Sequence, residues 1–185
     1  RSVNYNAMGT DDSYGAINIT QQINLANPKL AFIYILSDKI QASFSSAYYE
    51  REPYREELLS NPTIGKEKLV CLDAGLIWNI AKFKAAANLY HMEYRDYLAP
   101  NGDLNDTGDP LRVNIPKAFR SGVECNVDFL PVRFIGISYQ VNISKNRARN
   151  FNEKIPVFDG NYTQVGEIIR FSASTPLAFS PSQIH

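Results

Sequence analysis

Two stretches of the chain alternate between apolar and polar residues almost without exception. In 118–129, Phe119, Ser121, Val123, Cys125, Val127 and Phe129 share one parity; Arg120, Gly122, Glu124, Asn126 and Asp128 share the other. In 134–146, Ile135, Ile137, Tyr139, Val141 and Ile143 oppose Gly136, Ser138, Gln140, Asn142, Ser144 and Asn146. Successive side chains of a strand point to opposite faces, so a period of two collects each set on one side of a sheet. A helix would scatter both sets around its axis. Both stretches are therefore expected as strands with one apolar and one polar face.

Further strands are expected at 17–25, 29–36, 40–49, 66–79 and 83–95. In 66–79, Val70, Leu72, Ala74, Leu76 and Trp78 can share an apolar face, leaving Glu67, Cys71, Asp73 and Gly75 opposite. In 40–49, Ile40, Ala42, Phe44 and Tyr48 oppose Gln41, Ser43, Ser45 and Tyr49. Segment 29–36 is apolar on both faces, and 83–95 declares no apolar face. These segments exceed the ~5–6 residues usual in globular strands and suit tilted strands crossing ~30 Å of hydrocarbon. The links alternate in length. Those at 37–39, 80–82 and 130–132 are tight; those at 50–65, 96–115 and 147–161 are long and rich in Asn, Asp, Gly, Pro and charge. Short turns on one side and long loops on the other are typical of outer-membrane barrels.

Composition supports a sheet and removes other classes. With 11 Tyr and 10 Phe, the chain is rich in residues that favour pleated surfaces. The longest apolar run, Leu30 to Leu36, falls far short of the ~18 residues of a spanning helix. Nineteen basic and nineteen acidic residues cancel, which leaves no electrostatic argument for a nucleic-acid partner. The polar faces carry Gly, Ser, Asn and Gln, where a soluble sheet would show many Lys and Glu. That choice suits a surface packed wetly against water, a plug or a cargo.

No nucleophile elbow, phosphate loop or Cys/His pairing appears, so no enzyme and no cofactor are expected. No metal is expected either. His91 and His185 are scattered, and the calcium-like start Asp103 to Gly108 places Asn114 where a bidentate Glu is needed. Cys71 and Cys125 fall on opposite faces with 83–95 between them. Two strand spacings of roughly 9–10 Å exceed the ~7 Å Cα limit of a disulfide, so both are expected to be free. The Asn-X-Ser/Thr triplets at 18, 105, 142 and 161 matter only in a eukaryotic secreted protein.

Several segments, in order, resemble the barrel of TonB-dependent receptors, in the style of Bacteroidetes-like bacteria. They are Asn27-Pro28-Lys29-Leu30, Tyr49-Glu50-Arg51-Glu52-Pro53, Leu72-Asp73-Ala74-Gly75-Leu76 and the run from Asn88 to Leu98. The run from Asn114 to Glu124 and Leu177-Ala178-Phe179-Ser180-Pro181 complete the set. The resemblance implies an all-β fold: an antiparallel transmembrane barrel portion of about seven or eight strands from a 22-strand barrel. It implies that 1–185 is part of one barrel domain, with the plug domain and terminal strands absent. The implied partners are outer-membrane lipid, the plug and TonB system of the full-length protein, and a siderophore, vitamin or glycan-type cargo. The bacterial outer membrane is the implied location.

Arg51 and Glu52 would then sit near the extracellular mouth, with Arg51 turned inward, and together with Arg120, Glu124 and Asp128 would face the plug or cargo. Phe119, Val123, Val127, Phe129, Ile135, Ile137, Tyr139, Val141 and Ile143 would face lipid. Two other readings fit the periodicity: a complete eight-stranded barrel of structural or adhesive role, and a soluble β-sandwich binding module. The sandwich would bury Val123, Phe129, Ile135 and Ile137 against a second sheet.

Overall fold

The computed structural model describes residues 1–11, 14–104, 108, 110–161, 163–177 and 183–184. In chain order the elements are β1 (Ser2–Asp11), β2 (Gly15–Asn24), β3 (Lys29–Ser37), β4 (Ile40–Arg51) and α1 (Arg55–Ser60). They continue with β5 (Glu67–Ile80), β6 (Phe83–Leu104), β7 (Pro110–Val132), β8 (Ile135–Phe158), β9 (Gln164–Thr175) and β10 (Gln183–Ile184). Strands β3 to β8 pair in sequence order, all antiparallel, and β9 and β10 both pair with β8. Tight links between long strands leave each strand only its predecessor to pair with, which produces this up-and-down order. The sheet is open, with β3 at one edge and β9 and β10 at the other. Strands β1 and β2 form a separate hairpin.

Register carries a single apolar face across six strands. Directly paired residues of an antiparallel ladder project to the same side. Phe32 pairs with Phe44, Phe44 with Ala74, Ala74 with Leu89, Leu89 with Val123 and Val123 with Ile143. Towards the short turns the same face carries Tyr34, Ala42, Leu76, Ala87, Cys125 and Val141. Below these lie Ile40, Trp78, Ala85, Val127 and Tyr139. The face that 83–95 did not declare is thus settled: Phe83, Ala85, Ala87 and Leu89 join the apolar side. On the opposite face one row reads Ser43, Gly75, Asn88, Glu124 and Asn142.

This apolar face is uncovered. Leu76 is 49% exposed, Leu89 56%, Phe129 42%, Ile137 57% and Ile143 56%, so the burial a soluble sandwich requires is absent. Cys71 and Tyr90 are buried on the polar face, and the two buried clusters lie towards the long-loop end. One cluster unites Ile19, Leu58, Leu59, Ile64 and Leu98; a second unites Ala99, Ile115, Ala118, Ala148 and Leu177. At ~3.3 Å per residue, the 23 residues of β7 give a strand roughly twice as long as a bilayer core requires. Its half near the short turns carries the apolar face, and its other half helps to build a small conventional core.

Several expectations need correction. Segments 96–115 and 147–161 are not long loops. Tyr97 to Pro100 pair with Arg112 to Ile115, and Ala148 to Phe158 pair with Gln164 to Thr175. Their Pro and Gly content suggested loops, but proline's fixed φ is compatible with extended backbone, and burial of Ala99 and Ile115 stabilises the ladder. The link expected at 130–132 is strand up to Val132, with a register shift after Phe129 and the turn at Arg133 and Phe134. Strand β1 and helix α1 had not been anticipated, and the 17–25 segment pairs with β1, outside the main sheet. Asn105 to Thr107 of the calcium-like loop and 178–181 of the family-like segment lie outside the described residues. Cys71 is buried on the polar face and Cys125 lies on the apolar one; both are free thiols, with β6 between their strands.

Candidate functional site

The polar face and the small core at its long-loop end form one continuous surface. Midway along the face, Tyr90 lies across Gly122. A Cβ built on Gly122 would fall 2.5 Å from the Tyr90 hydroxyl and 2.7 Å from the Ile143 carbonyl oxygen, so glycine is needed for close approach. The Arg120 guanidinium lies 5.8 Å from the Tyr90 ring centroid. The Tyr90 hydroxyl, Arg120 Nε and Asn142 Oδ1 are buried and lack hydrogen-bond partners among the described residues. Asn142 Nδ2 donates to Glu124 Oε1 at 3.0 Å, and the Ser138 hydroxyl donates to the Asp128 carboxylate. In the same row on β5, opposite Tyr90, Asp73 accepts from Cys71 Sγ at 3.2 Å and from the Ser45 hydroxyl at 3.4 Å. Such a surface offers short, fixed donors and acceptors to whatever packs against the polar face.

At the long-loop end the charges are cross-linked. Arg51 Nε lies 3.4 Å from Glu67 Oε1, and Glu67 Oε2 accepts the Leu98 amide at 3.0 Å. Two guanidinium groups approach the exposed Tyr54 ring, Arg51 at 5.6 Å and Arg112 at 5.7 Å from its centroid. Glu57, 3% exposed, accepts the Tyr54 amide at 2.8 Å and pairs with Arg112 at 2.7 Å, which anchors the start of α1. Asn114 holds the following loop to the sheet: it accepts from Gly65 N at 2.6 Å and donates to the Gly65 and Asp96 carbonyls. Glu52 pairs with Arg1 at 3.0 Å.

The hairpin of β1 and β2 packs on this framework through Ile19, and Glu50 gathers polar bonds at its base and the link that follows it. The Glu50 carboxylate lies 2.9 Å from Lys66 Nζ and accepts from the Tyr48 hydroxyl and the Ala26 amide, both at 2.8 Å. Lys66 Nζ also donates to Asn24 O at 2.6 Å, and Glu50 N donates to Asn27 Oδ1 at 2.7 Å. The family-like segments around Asn27 and Glu50 thus meet in space. Glu50 lies beyond the apolar band, and its pKa is lowered from 4.5 to about 2. The bond from Lys66 is the main cause, aided by Tyr48 and Ala26 against the opposing effect of burial.

A carboxyl with a depressed folded pKa contributes stability that is present above its unfolded pKa and lost as pH falls through the folded value. Hydrogen exchange, corrected for intrinsic rates, should therefore find the Ala26 amide protected near neutral pH and progressively released between pH ~4.5 and about 2. Glu50→Ala, which removes the acceptor, should release it already at pH 7. Equal protection at both ends of that range would refute the role given to Glu50.

The five polar residues singled out by sequence do not converge on one point. Arg51 and Glu52 stand at the long-loop end, whereas Arg120, Glu124 and Asp128 descend along the polar face. Sequence reasoning missed Tyr54, Glu57, Glu67, Tyr90 and Arg112. Of these, parity placed only Glu67 on a polar face; Tyr90 carried no local signal, because 83–95 declares no apolar face.

Comparison with known proteins agrees with this architecture. The family model described as TonB dependent receptor-like, beta-barrel, matches residues 2–181. Among solved structures, the copper transporter OprC superposes with a TM-score of 0.61 at 21% identity, covering 71% of this chain and 22% of that one. The FrpB iron transporter from Neisseria meningitidis (F3-3 variant) gives 0.56 at 19% identity, covering 72% and 21%. At these identities the likeness is one of fold, and the chain spans about a fifth of each transporter. No curated protein matches the chain.

Proposed function

The chain belongs to the TonB-dependent receptor-like β-barrel family, and from that premise we propose that it forms a section of barrel wall in an outer-membrane nutrient importer. The family comprises outer-membrane transporters and receptors, not enzymes, and its members work with lipid, a plug domain and TonB. The observation that carries the proposal is the uncovered apolar face running in register through six strands, with small and amide residues behind it. In lipid, backbone groups must be satisfied within the sheet and only one face needs to be apolar.

On this reading Val123, Val127, Phe129, Ile135, Ile137, Tyr139, Val141 and Ile143 meet lipid, with Phe119 at the outer boundary. Arg120, Glu124 and Asp128 face the plug or the passing cargo. Arg51 and Glu52 act as framework for the extracellular mouth, since both are engaged in ion pairs. The cargo is proposed as a siderophore, vitamin or glycan-type nutrient. The exposed Tyr54 ring approached by Arg51 and Arg112 is the feature best suited to meet it from outside.

Spin labels at single cysteines, introduced into the intact protein in vesicles with the native cysteines replaced by serine, test the assignment. Positions 123, 127, 137 and 141 should collide with lipid-soluble oxygen and resist a polar nickel complex. Positions 124, 126, 140 and 142 should show low oxygen accessibility. Loss of the two-residue period, or its inverse phase, would overturn the proposal.

A further inference from the structure

On the polar face, the pairing of β5 with β6 sets two sulfur-bearing side chains next to each other. Cys71 lies directly opposite Met92, so both leave the ladder on the same side, with Cβ atoms ~4.5–5.5 Å apart. No sequence spacing announces this pair; register alone makes it. Cys71 is a buried free thiol, and Met92 is half-buried beside it. Each sulfur is held by a neighbour. Cys71 Sγ donates to Asp73 Oδ2 at 3.2 Å, and the Ser45 hydroxyl donates to the same oxygen at 3.4 Å. The Tyr94 hydroxyl donates to Met92 Sδ at 3.6 Å, which orients the thioether and leaves it a lone pair for a second partner. The proposed transport role uses none of these groups.

Thiolate and thioether are soft donors, and they select Cu(I) over harder cations. The spacing suits a two-coordinate ion. Two metal–sulfur bonds of ~2.3 Å laid end to end span ~4.6 Å, close to the ~4.8 Å between adjacent strands. Zinc requires four ligands, or three and a water, and no group of three His, Cys, Asp or Glu able to hold a metal occurs among the described residues. Charge points the same way. Arg120 is the next residue in the row, opposite Met92 on β7, and Asp73 offsets it from the neighbouring row. A thiolate balances one further positive charge. The face therefore stays neutral with a monovalent ion and carries an uncompensated charge with a divalent one, which is costly beside a buried residue.

We propose that Cys71 and Met92 form a two-sulfur binding site for Cu(I) on the polar face. On binding, the S–H bond of Cys71 breaks and a sulfur–copper bond forms; the proton passes through Asp73 to solvent. Met92 contributes a lone pair, and copper keeps its oxidation state. Asp73 is a positioning residue: it orients the thiol and receives its proton. The site is built by β5 and β6 with their hydrogen-bond partners and does not depend on which cargo the barrel passes.

The intact protein, in detergent under nitrogen, would be loaded with Cu(I) against a competing chelator and read by X-ray absorption at the copper edge. The unmodified protein should hold copper with two sulfur neighbours. Cys71→Ser should lose that copper, and Met92→Leu should leave a single sulfur neighbour and a weaker complex. Asp73→Asn should keep both sulfur neighbours while binding about ten-fold more weakly. Cys125→Ser, which removes the thiol of the opposite face, should change nothing. No copper held against the chelator, undiminished copper in Cys71→Ser, or an unchanged two-sulfur spectrum in Met92→Leu would each overturn the proposal, the last by reducing the site to a lone thiol. A second measurement needs no variant and so stands even if one fails to refold. Saturating Cu(I) should protect Cys71 from alkylation by iodoacetamide and leave the labelling of Cys125 unaltered, as read by mass spectrometry; an unprotected Cys71 would equally overturn it.

Discussion

Arginine in place of Val141 is expected to destabilise the membrane-inserted barrel by about 2–4 kcal/mol, whereas arginine in place of Gln140 should change it by less than about 1 kcal/mol. Val141 lies in the row of Leu76, Ala87 and Cys125, one row above Trp78 and Tyr139 and two rows below His91, Ser121 and Lys145. A guanidinium there sits inside the apolar band, and reaching the charged rim means crossing the row of Leu89, Val123 and Ile143. Gln140 is its neighbour in sequence but belongs to the other, polar face, paired with Asn126. Reversible refolding into lipid vesicles, titrated with denaturant, measures both. Similar costs at the two positions would mean that the alternation reflects something other than a boundary between lipid and lumen.

Alanine at Gly122 should cost about 1–3 kcal/mol, and valine more, by overpacking rather than by any change of backbone preference. The new Cβ meets two groups, and they differ in how far they can give. Tyr90 can swing its hydroxyl away, at the expense of its packing beneath Arg120; the Ile143 carbonyl oxygen belongs to the ladder between β7 and β8 and cannot move without weakening it. Gly75 provides the comparison. Its nearest obstacle is the Ser43 hydroxyl, at the end of a rotatable side chain, so Gly75→Ala should be markedly milder. Adding Tyr90→Ala to Gly122→Ala should restore only part of the loss, because the carbonyl remains. A Gly122→Ala protein with unchanged refolding stability would show that the sheet absorbs the shift and that the close packing of β6, β7 and β8 has been overstated.

Most of the membrane-spanning part was legible in the sequence, and most of the outer part was not. The faces of 118–129 and 134–146 were read correctly because each depends on a local repeat of two residues, which neighbouring strands only reinforce. The apolar face of 83–95 was illegible because Ala85 and Ala87 resemble Ala86, and nothing within the strand ranks them. Pairing with Cys125 and Val127 decides it. The extensions at 96–104 and 110–115 were hidden by Pro100, Gly102 and Pro110, whose local preference for irregular backbone yields to the pairing and burial of Leu98, Ala99 and Ile115.

The site divided in the same way. That Arg120, Glu124 and Asp128 share a face follows from parity alone. That Arg51 is held by Glu67 and Tyr54, that Glu57 reaches Arg112 across 55 positions, and that Glu50 gathers Lys66, Tyr48 and Ala26 all depend on loops folding back over strand ends.

The alternation is a property of covalent geometry: side chains leave an extended backbone on opposite sides, so the order of residues by itself determined that long two-faced strands would form and which residues each face would hold. Register was left to the tertiary structure, because it fixes which strands lie side by side and at what level. It joined the separate apolar faces into one surface, aligned Lys68, Arg95, Lys117 and Arg149 into a row that no local pattern announces, and built a small buried core beyond the apolar band.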